Sequence, residues 1–350
     1  MTVRLQDHQE VRRLASELGV RSADAVVGIT QFCRNKIDAI VKKHGGVSSI
    51  RELEEVVCRE LRLVIEEVWS DEEFEAIILK YISYGEVVFA SFRHDFDDNT
   101  FGVLVQRKHI EATAHDRYVA LIDCRGRKAQ RRWFTKWHEI AHLLTTNRQM
   151  ELPFRRTSEK VPVERVIDLV AAEVGFYQPV FVPALSAELR QANLNFEMVD
   201  RIREQVCQEA SFQATLLACV KHCPHPTLLV EAELALKRGE ARGQLQGQLF
   251  PIQSPVPKLR AVQVTQNEAA RQAGLRIHTN MRVPTDSVMY FQLDTLETET
   301  EREGLEDLGN WSDSTGNRLP AQQVRILARR TEDRVLAVVS AVNAPIATAH

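Results

Sequence analysis

The sequence of 350 residues lacks the features by which exported and membrane proteins are recognised. No apolar run approaches the roughly 18–20 residues that are needed to cross a bilayer. Residues 1–16 carry charges throughout and contain no apolar stretch, so we expect no secretory signal there. The chain has only six cysteines, and without an export signal they are expected to be reduced thiols. These absences together predict a cytoplasmic protein without a membrane partner.

An excess of positive charge is also missing. The formal net charge is -3 and the isoelectric point is about 6.4, whereas a protein that neutralises many phosphates is usually basic. Direct binding of nucleic acid is therefore not expected. Hydrophobic residues make up 44% and charged residues 27% of the chain, which argues against wholesale disorder. A chain of 350 residues exceeds what one hydrophobic core usually organises, so several domains are expected.

The first part of the chain combines helical and strand patterns. Helical spacing predicts helices at residues 22–44, 48–61 and 71–81. Strand patterns are found at residues 63–69, 86–92, 100–110 and 118–123. We therefore expect an α+β fold, in which a helical N-terminal part leads into a small sheet.

The later part returns to helical spacing and then changes composition. Helices are predicted at residues 129–144, 163–176 and 187–219, the last with a break near 193–195. Short β-rich runs follow at residues 259–264, 287–293, 324–328 and 334–339. Glycine, glutamine and proline at residues 237–258, which precede the first of these runs, indicate a linker. The predicted organisation is a helical region at 1–62, a core at 63–236, a linker at 237–258, and a β-rich domain for sensing or substrate docking at 259–350.

One segment of the core carries residues that catalytic metal sites use. The pattern His138-Glu139-x-x-His142 lies in a stretch with helical spacing and no proline or glycine. Residues four apart lie on one face of a helix, about 6 Å apart at Cβ, so both imidazoles can reach one zinc ion. Glu139 is placed to take the proton of a water on that ion and pass it to a leaving amine. A histidine pair on the surface of an amphipathic helix is the alternative.

A third ligand is expected from the next predicted helix. Glu164 and Asp168 lie one turn apart there, among strongly apolar residues. A carboxylate in such surroundings needs a partner, which a metal ion or a ligating imidazole supplies. We therefore predict His138, His142 and Glu164 as metal ligands, and Asp168 as the acceptor of a histidine ring N–H. Glu173 is the alternative third ligand, although it lies on a different face of the helix.

These two helices resemble those of the ImmA/IrrE-type metallopeptidases. That family has an Arg/Phe/Thr lead-in to its metal helix, which residues 131–142, RRWFTKWHEIAH, resemble. Residues 164–172 resemble its second helix, where Glu is followed four residues later by Asn or Asp, and then by a Phe-Ala pair. The resemblance covers about residues 85–236.

Some positions depart from the family pattern. Val170 and Ala171 stand where the Phe-Ala pair is usual, and Ala141 stands where the family commonly has glycine. Pro179 lies somewhat later than the family's Leu-Leu-Met-Pro motif. The histidine, glutamate and aspartate positions are intact.

The resemblance implies a function and a partner. Members of the family cut a specific transcriptional repressor inside bacterial cells, so it implies a zinc endopeptidase with a zincin-like core and a helix-turn-helix repressor as substrate. Mn²⁺ or Fe²⁺ are alternative ions, because sites of histidine and carboxylate accept several divalent metals. The alternative function is a metal-stabilised regulatory protein that binds a repressor or DNA without proteolysis.

Other positions carry weaker hypotheses. Stabilisation of the oxyanion needs a proton donor, for which Tyr177, His222 and His225 are candidates. Strand 118–123 is either a sheet edge that pairs with an extended substrate or an ordinary internal strand.

Three further patterns favour structural interpretations. The basic run at residues 125–132 is interpreted as a solvated loop and helix start rather than a binding surface. The segment CVKHCPH at 219–225 contains no second cysteine pair at zinc-ribbon spacing, so a structural role is favoured over a metal site. Residues 187–219 lack the basic recognition helix of a helix-turn-helix.

Overall fold

The structure of the chain is a computed structural model that contains both helices and strands. The structure describes residues 4–97, 99–108, 116–146, 154–156, 161–237, 256–293, 300–313, 315–331 and 334–342. The α-helices are α1 Gln9–Glu17, α2 Ala25–Lys43, α3 Ile50–Leu61, α4 Asp71–Ser83, α5 Phe92–Asp95, α6 Arg132–Thr145, α7 Pro162–Gly175, α8 Gln178–Leu189, α9 Phe196–Val206, α10 Phe212–His222, α11 Glu268–Gln272 and α12 Val288–Leu293. The strands are β1 Leu63–Val68, β2 Gly102–Gln106, β3 Tyr118–Asp123, β4 Phe154–Arg156, β5 Thr227–Ala235, β6 Lys258–Gln266, β7 Glu301–Asp307, β8 Gln323–Arg330 and β9 Val335–Ala341. The predicted α+β class is confirmed.

The chain divides into two compact units, which we call the N-terminal unit and the C-terminal unit. The N-terminal unit comprises residues 1–184 and 201–212, and the C-terminal unit comprises 185–200 and 213–350. This division differs from the predicted limit at residue 236, because β5 pairs with β6 and β9 in the C-terminal unit. Most of the predicted linker, residues 238–255, lies outside the described residues.

The N-terminal unit contains a mixed sheet of strand order β1-β3-β2-β4. Strand β1 runs parallel to β3, and both β3 and β4 run antiparallel to β2. Strand β3 thus has a neighbour on each side, so of the two alternatives for residues 118–123 the internal strand is confirmed and the sheet edge that accepts a substrate is wrong. The described edges of this sheet are β1 and β4.

Local sequence explains where the N-terminal helices begin. The side chain of Asp24 accepts hydrogen bonds from the backbone N–H groups of Val26 and Val27 at the start of α2. Ser49 and Ser70 cap α3 and α4 in the same way. Such caps satisfy amides that have no partner inside the helix. The predicted helices at 22–44, 48–61 and 71–81 are confirmed.

The predicted strand at 86–92 is wrong. Residues Val87–Ser91 form a 3₁₀ turn that leads directly into the short helix α5. Phe89 and Phe92 are both fully buried, and their ring centroids lie 5.3 Å apart. Side chains three positions apart share a face in a helical turn but point to opposite faces of a strand. Burial of this aromatic pair therefore outweighs the β propensity of the segment.

The C-terminal unit is built on an antiparallel sheet of strand order β6-β5-β9-β8-β7. Three of the four predicted β-rich runs are confirmed as β6, β8 and β9. The fourth, at 287–293, forms helix α12 instead. Met289 and Gln292 are both fully buried there, and Glu306 accepts the backbone N–H of Val288 at the start of the helix. The spacing of these two buried residues suits a helical face.

The segment predicted to be helical at residues 187–219 contains the end of α8, all of α9 and most of α10. The predicted break near 193–195 is confirmed between α8 and α9, and a second break follows between α9 and α10. In the described part of the chain, no single helix has the length and apolar composition required to cross a bilayer. Helices α7 and α8 meet those criteria only when taken together, and they are bent by 63° at the break between them.

Candidate metal centre

Helix α6 forms part of the interior of the N-terminal unit and carries the histidine motif. Every residue from Thr135 to Thr145 is buried. The 3₁₀ turn Gly126–Arg131 precedes the helix and is held by Asp123, at the end of β3, whose carboxylate accepts hydrogen bonds from Arg125 and Lys128. Part of the basic run at 125–132 therefore forms internal ion pairs rather than a free cationic surface.

The end of α6 is also held by side chains. Lys36, on α2, donates to the carbonyl of Leu144 at 2.7 Å. The hydroxyls of Thr145 and Thr146 donate to carbonyls of the last turn, including that of His142. A cation at this position is stabilised by the negative end of the helix dipole. These contacts fix the turn that carries the second histidine.

Helix α7 packs closely on α6 because of a small residue at its end. A Cβ added to Gly175 would lie 2.9 Å from a ring carbon of Trp137 and 3.0 Å from one of Trp133. Phe176 follows, with its ring centroid 4.6 Å from that of Trp133. The close packing of the two helices brings the carboxylates at the start of α7 to the histidines of α6.

The three predicted ligands lie together in the structure. His138 Nε2 and His142 Nε2 are 3.1 Å apart, and Glu164 Oε2 lies 3.0 Å from the first and 3.5 Å from the second. Ligands about 2.0–2.1 Å from a tetrahedral zinc ion are separated by about 3.3–3.4 Å. Among the described residues, this is the group of histidine, cysteine and acidic side chains that fits a metal ion. The donor set and spacing fit zinc.

The orientation of one imidazole is set by Asp168. Its Oδ1 lies 2.9 Å from His138 Nδ1, which makes that nitrogen the N–H donor. His138 Nε2 is thereby the nitrogen that faces His142 and Glu164 and is available to ligate a metal ion. A carboxylate behind a ligating histidine fixes its tautomer and raises its basicity.

The pKa of Glu164 is shifted by opposing effects. Burial alone would raise it, but hydrogen bonds and charge interactions with His138 and His142 lower the pKa well below its ordinary value. The carboxylate is therefore ionised at neutral pH. An ionised carboxylate between two imidazoles is the form that ligates a divalent cation.

Glu139 lies on the same helical turn as the histidines and is fully buried. It contacts β2, because a Cβ added to Gly102 would lie 2.9 Å from Glu139 Oε1 and 2.8 Å from a methyl carbon of Thr135. The absence of a side chain at position 102 makes room for this carboxylate. Sequence reasoning missed Gly102, although a glycine inside a strand often marks a close approach of another group.

The remaining candidates are Glu173 as the alternative ligand and Tyr177 and His222 as oxyanion stabilisers. Glu173, the alternative ligand, forms an ion pair with Arg34 and accepts a hydrogen bond from Gln178. The hydroxyl of Tyr177 donates to Asp38 at 2.9 Å, and this contact together with burial raises the pKa of Tyr177 to about 12. His222 belongs to the C-terminal unit, so its role as an oxyanion stabiliser stays a prediction.

The segment at 219–225 has structural contacts. The side-chain amide of Asn267 donates to the carbonyls of Cys223 and His225. Thr227 donates to the carbonyl of His225. Cys219 and Cys223 are buried. These contacts join the end of α10 to β5 and α11, in agreement with a structural interpretation.

Comparisons with known proteins add little to the geometry. No protein-family model matches the chain, and no curated protein matches it. Among solved structures, a chain described as a Mycobacterium tuberculosis transcriptional regulator has a TM-score of 0.40 and 9% sequence identity. The alignment covers 95% of this chain and 81% of that one. A similarity of this size does not identify the fold or the function.

Proposed function

We propose that the chain is a zinc-dependent endopeptidase. One observation carries the proposal: the ligating atoms of His138, His142 and Glu164 converge at distances of 3.0 to 3.5 Å, with Glu139 on the same turn. Two histidines and one carboxylate leave the fourth position of a tetrahedral ion open, which is the arrangement of catalytic rather than structural zinc.

Each residue has a separate role in this proposal. His138, His142 and Glu164 hold the ion, and Asp168 holds the ring of His138. Zinc bound there supplies a Lewis acid that acidifies water and polarises a peptide carbonyl. Glu139 accepts the proton that water loses as it attacks the carbonyl and delivers it to the amine of the breaking peptide bond.

The proposed substrate is an intracellular transcriptional repressor of helix-turn-helix type. Its support is the resemblance of residues 131–142 and 164–172 to the ImmA/IrrE-type metallopeptidases. Cleavage in the cytoplasm belongs to the same proposal. The native ion is proposed as zinc, with Mn²⁺ and Fe²⁺ as alternatives that metal analysis distinguishes.

The central test compares the wild type with Glu139→Gln. Both proteins are incubated with the repressor encoded near the gene, with and without a chelator, and fragments are identified by mass spectrometry. We expect cleavage by the wild type that the chelator abolishes, and a rate about 10²- to 10⁴-fold lower in Glu139→Gln because a general base is lost. Cleavage by the variant at the wild-type rate would refute the role of Glu139. Binding without cleavage by the wild type would favour the metal-stabilised regulator.

A second measurement tests the ligands without a substrate. Zinc content per chain is determined for the wild type, His138→Ala and the control His94→Ala, which replaces an exposed histidine on α5. We expect about one zinc ion in the wild type and the control and none in His138→Ala. Full occupancy in His138→Ala would contradict the ligand set.

A further inference from the structure

The C-terminal unit contains a polar groove that the proposed peptidase function does not use. Its volume is about 310 Å³, near the lower end of the range for small-molecule sites. The polar lining, which we call the arginine groove, consists of Arg282, Thr285, Asp286, Asn310, Ser312 and Arg318.

Backbone pairing brings the two arginines to this groove. Arg282 forms an antiparallel bridge with Ser312, and its backbone N–H donates to the Ser312 carbonyl at 2.9 Å. Ser312 in turn bridges Arg318. The stretch that contains Arg282 therefore lies beside Ser312, and Ser312 and Arg318 face each other across one tight turn, which places one arginine on either side of Ser312.

A hydrogen-bonded turn holds the second arginine in place. Asp313 accepts hydrogen bonds from the backbone N–H groups of Thr315 and Asn317, at 2.8 and 2.9 Å. The side-chain amide of Asn317 donates to the same carboxylate, and the N–H of Asp313 donates to the carbonyl of Asn317. Arg318 follows this turn directly, so its backbone position is set before any ligand binds.

The charges of the arginine groove are not balanced by the protein. Within the part of the chain that the structure describes, neither Arg282 nor Arg318 has a hydrogen bond or an ion pair from its side chain. By contrast, two arginines on or next to the strands of the same unit are paired, Arg325 with Glu303 and Arg334 with Glu231. Arg282 is half-buried, and its Nε is inaccessible to solvent and has no hydrogen-bond partner, so this nitrogen lacks the hydration that would replace a partner. Asp286 is the acidic residue in the lining.

We infer that the arginine groove binds a small phosphorylated molecule. Two guanidiniums supply planar, charge-assisted donors that match the oxygens of a phosphate group. Ser312, Thr285 and Asn310 add neutral donors around the same space. A phosphate monoester has more oxygens and more charge to satisfy this donor set than a single carboxylate has. All of these residues belong to the C-terminal unit, so the inference does not depend on the proposed peptidase.

The test measures binding to the full chain by titration calorimetry. Inorganic phosphate and glucose 6-phosphate serve as phosphorylated probes, citrate as a carboxylate probe, and a short duplex DNA as a polyanion. We expect saturable binding of glucose 6-phosphate at one site. Arg318→Gln and Arg282→Gln should each weaken it about tenfold, because each removes charge-assisted hydrogen bonds.

Two further variants make the test specific. Asp286→Asn removes a negative charge from the lining and should tighten binding of glucose 6-phosphate. Arg276→Gln replaces an exposed arginine of the same unit outside the arginine groove and should leave binding unchanged. Arg318 is exposed, so its variant is expected to fold even if Arg282→Gln does not.

Several results would overturn the inference. Failure of the wild type to bind either phosphorylated probe at millimolar concentration is one. Equal weakening by Arg276→Gln and Arg318→Gln is another, because it would indicate a general charge effect. Tighter binding of citrate than of glucose 6-phosphate, or arginine-dependent binding of duplex DNA alone, would assign the arginine groove to a different class of ligand.

Discussion

The two faces of α6 each carry buried polar side chains, in clusters of opposite design. One face carries His138 and His142, which meet Glu164, so that the cluster consists of electron-pair donors. The opposite face carries Lys136, whose ammonium lies 2.9 Å from Glu54 and 2.5 Å from Glu209. In this lysine cluster, the positive charge of Lys136 is paired with the negative charges of Glu54 and Glu209. The histidine cluster needs a cation, either a proton or a metal ion, to be satisfied.

The difference separates a cluster of paired charges from a candidate metal-binding cluster on one helix. Lys136 is only 3% exposed, and burial alone would lower its pKa, but Glu54 and Glu209 raise the pKa instead. These two carboxylates therefore hold Lys136 in its charged form. A buried ion pair of this kind needs no ligand, whereas three converging donors do.

The largest expected effect comes from breaking the lysine cluster. Lys136→Met leaves the half-buried Glu54 facing an apolar side chain, whereas Glu209 is exposed and is hydrated instead, so the substitution should lower the free energy of unfolding by about 2 to 4 kcal/mol at pH 7. Urea denaturation of the metal-free protein measures this. Lys42→Met, which replaces an exposed lysine on α2, is the matched control and should change stability by less than about 0.5 kcal/mol. A loss below about 1 kcal/mol in Lys136→Met would show that the cluster is not the closed ion pair described.

A smaller effect, on zinc affinity, is expected when Asp168 of the candidate metal centre is replaced. Asp168→Ala removes the acceptor of the His138 ring N–H and should weaken zinc binding about 10- to 100-fold, because the ring loses its fixed orientation. Asp168→Asn keeps a carbonyl acceptor and should weaken it less. Competition with a chromophoric chelator measures both affinities. Equal affinities for the wild type and Asp168→Ala would remove the positioning role of this carboxylate.

The smallest effect concerns the stability of the metal-free protein, to which the clusters on the two faces of α6 should contribute with opposite pH dependence. Glu164 has a lowered pKa, so its stabilising contribution is present above the ordinary pKa near 4.5 and is lost as pH falls. Burial, which outweighs the charge of Lys136, raises the pKa of Glu54, so its contribution is present at low pH and is lost as pH rises through the raised value.

Stability curves from pH 3 to pH 7 test these signs. Glu164→Gln should lose less stability on acidification than the wild type, whereas Glu54→Gln should lose more. Parallel curves for all three proteins would contradict the assigned directions.

Sequence reasoning succeeded where a pattern is local. The spacing of His138 and His142 on a helix, and of Glu164 and Asp168 on the next, follows from residues four positions apart. The helices at 22–44, 48–61 and 71–81, and three of the four β-rich runs of the C-terminal unit, also depend on neighbours in the chain. These elements could be predicted because each is decided within one or two turns.

Sequence reasoning failed where a contact between residues far apart in the chain decides the local structure. Residues 86–92 have the composition of a strand, but packing of Phe89 and Phe92 makes the segment helical. Whether β3 lies at an edge of the sheet or inside it stayed open, because strand order depends on β1 and β2 together. The arginine groove joins residues 282 and 318 through Ser312, a relation that no local spacing contains.

By itself the sequence determined which residues of this protein are able to ligate a metal ion and which helices carry them. Only the tertiary structure decided that those residues meet, because that depends on how α7 packs against α6. The tertiary structure also decided that Lys136 is neutralised while Arg282 is not, since neutralisation requires a carboxylate from another part of the chain. The physical reason is that helical spacing acts over a few residues, whereas burial and charge pairing act across the fold.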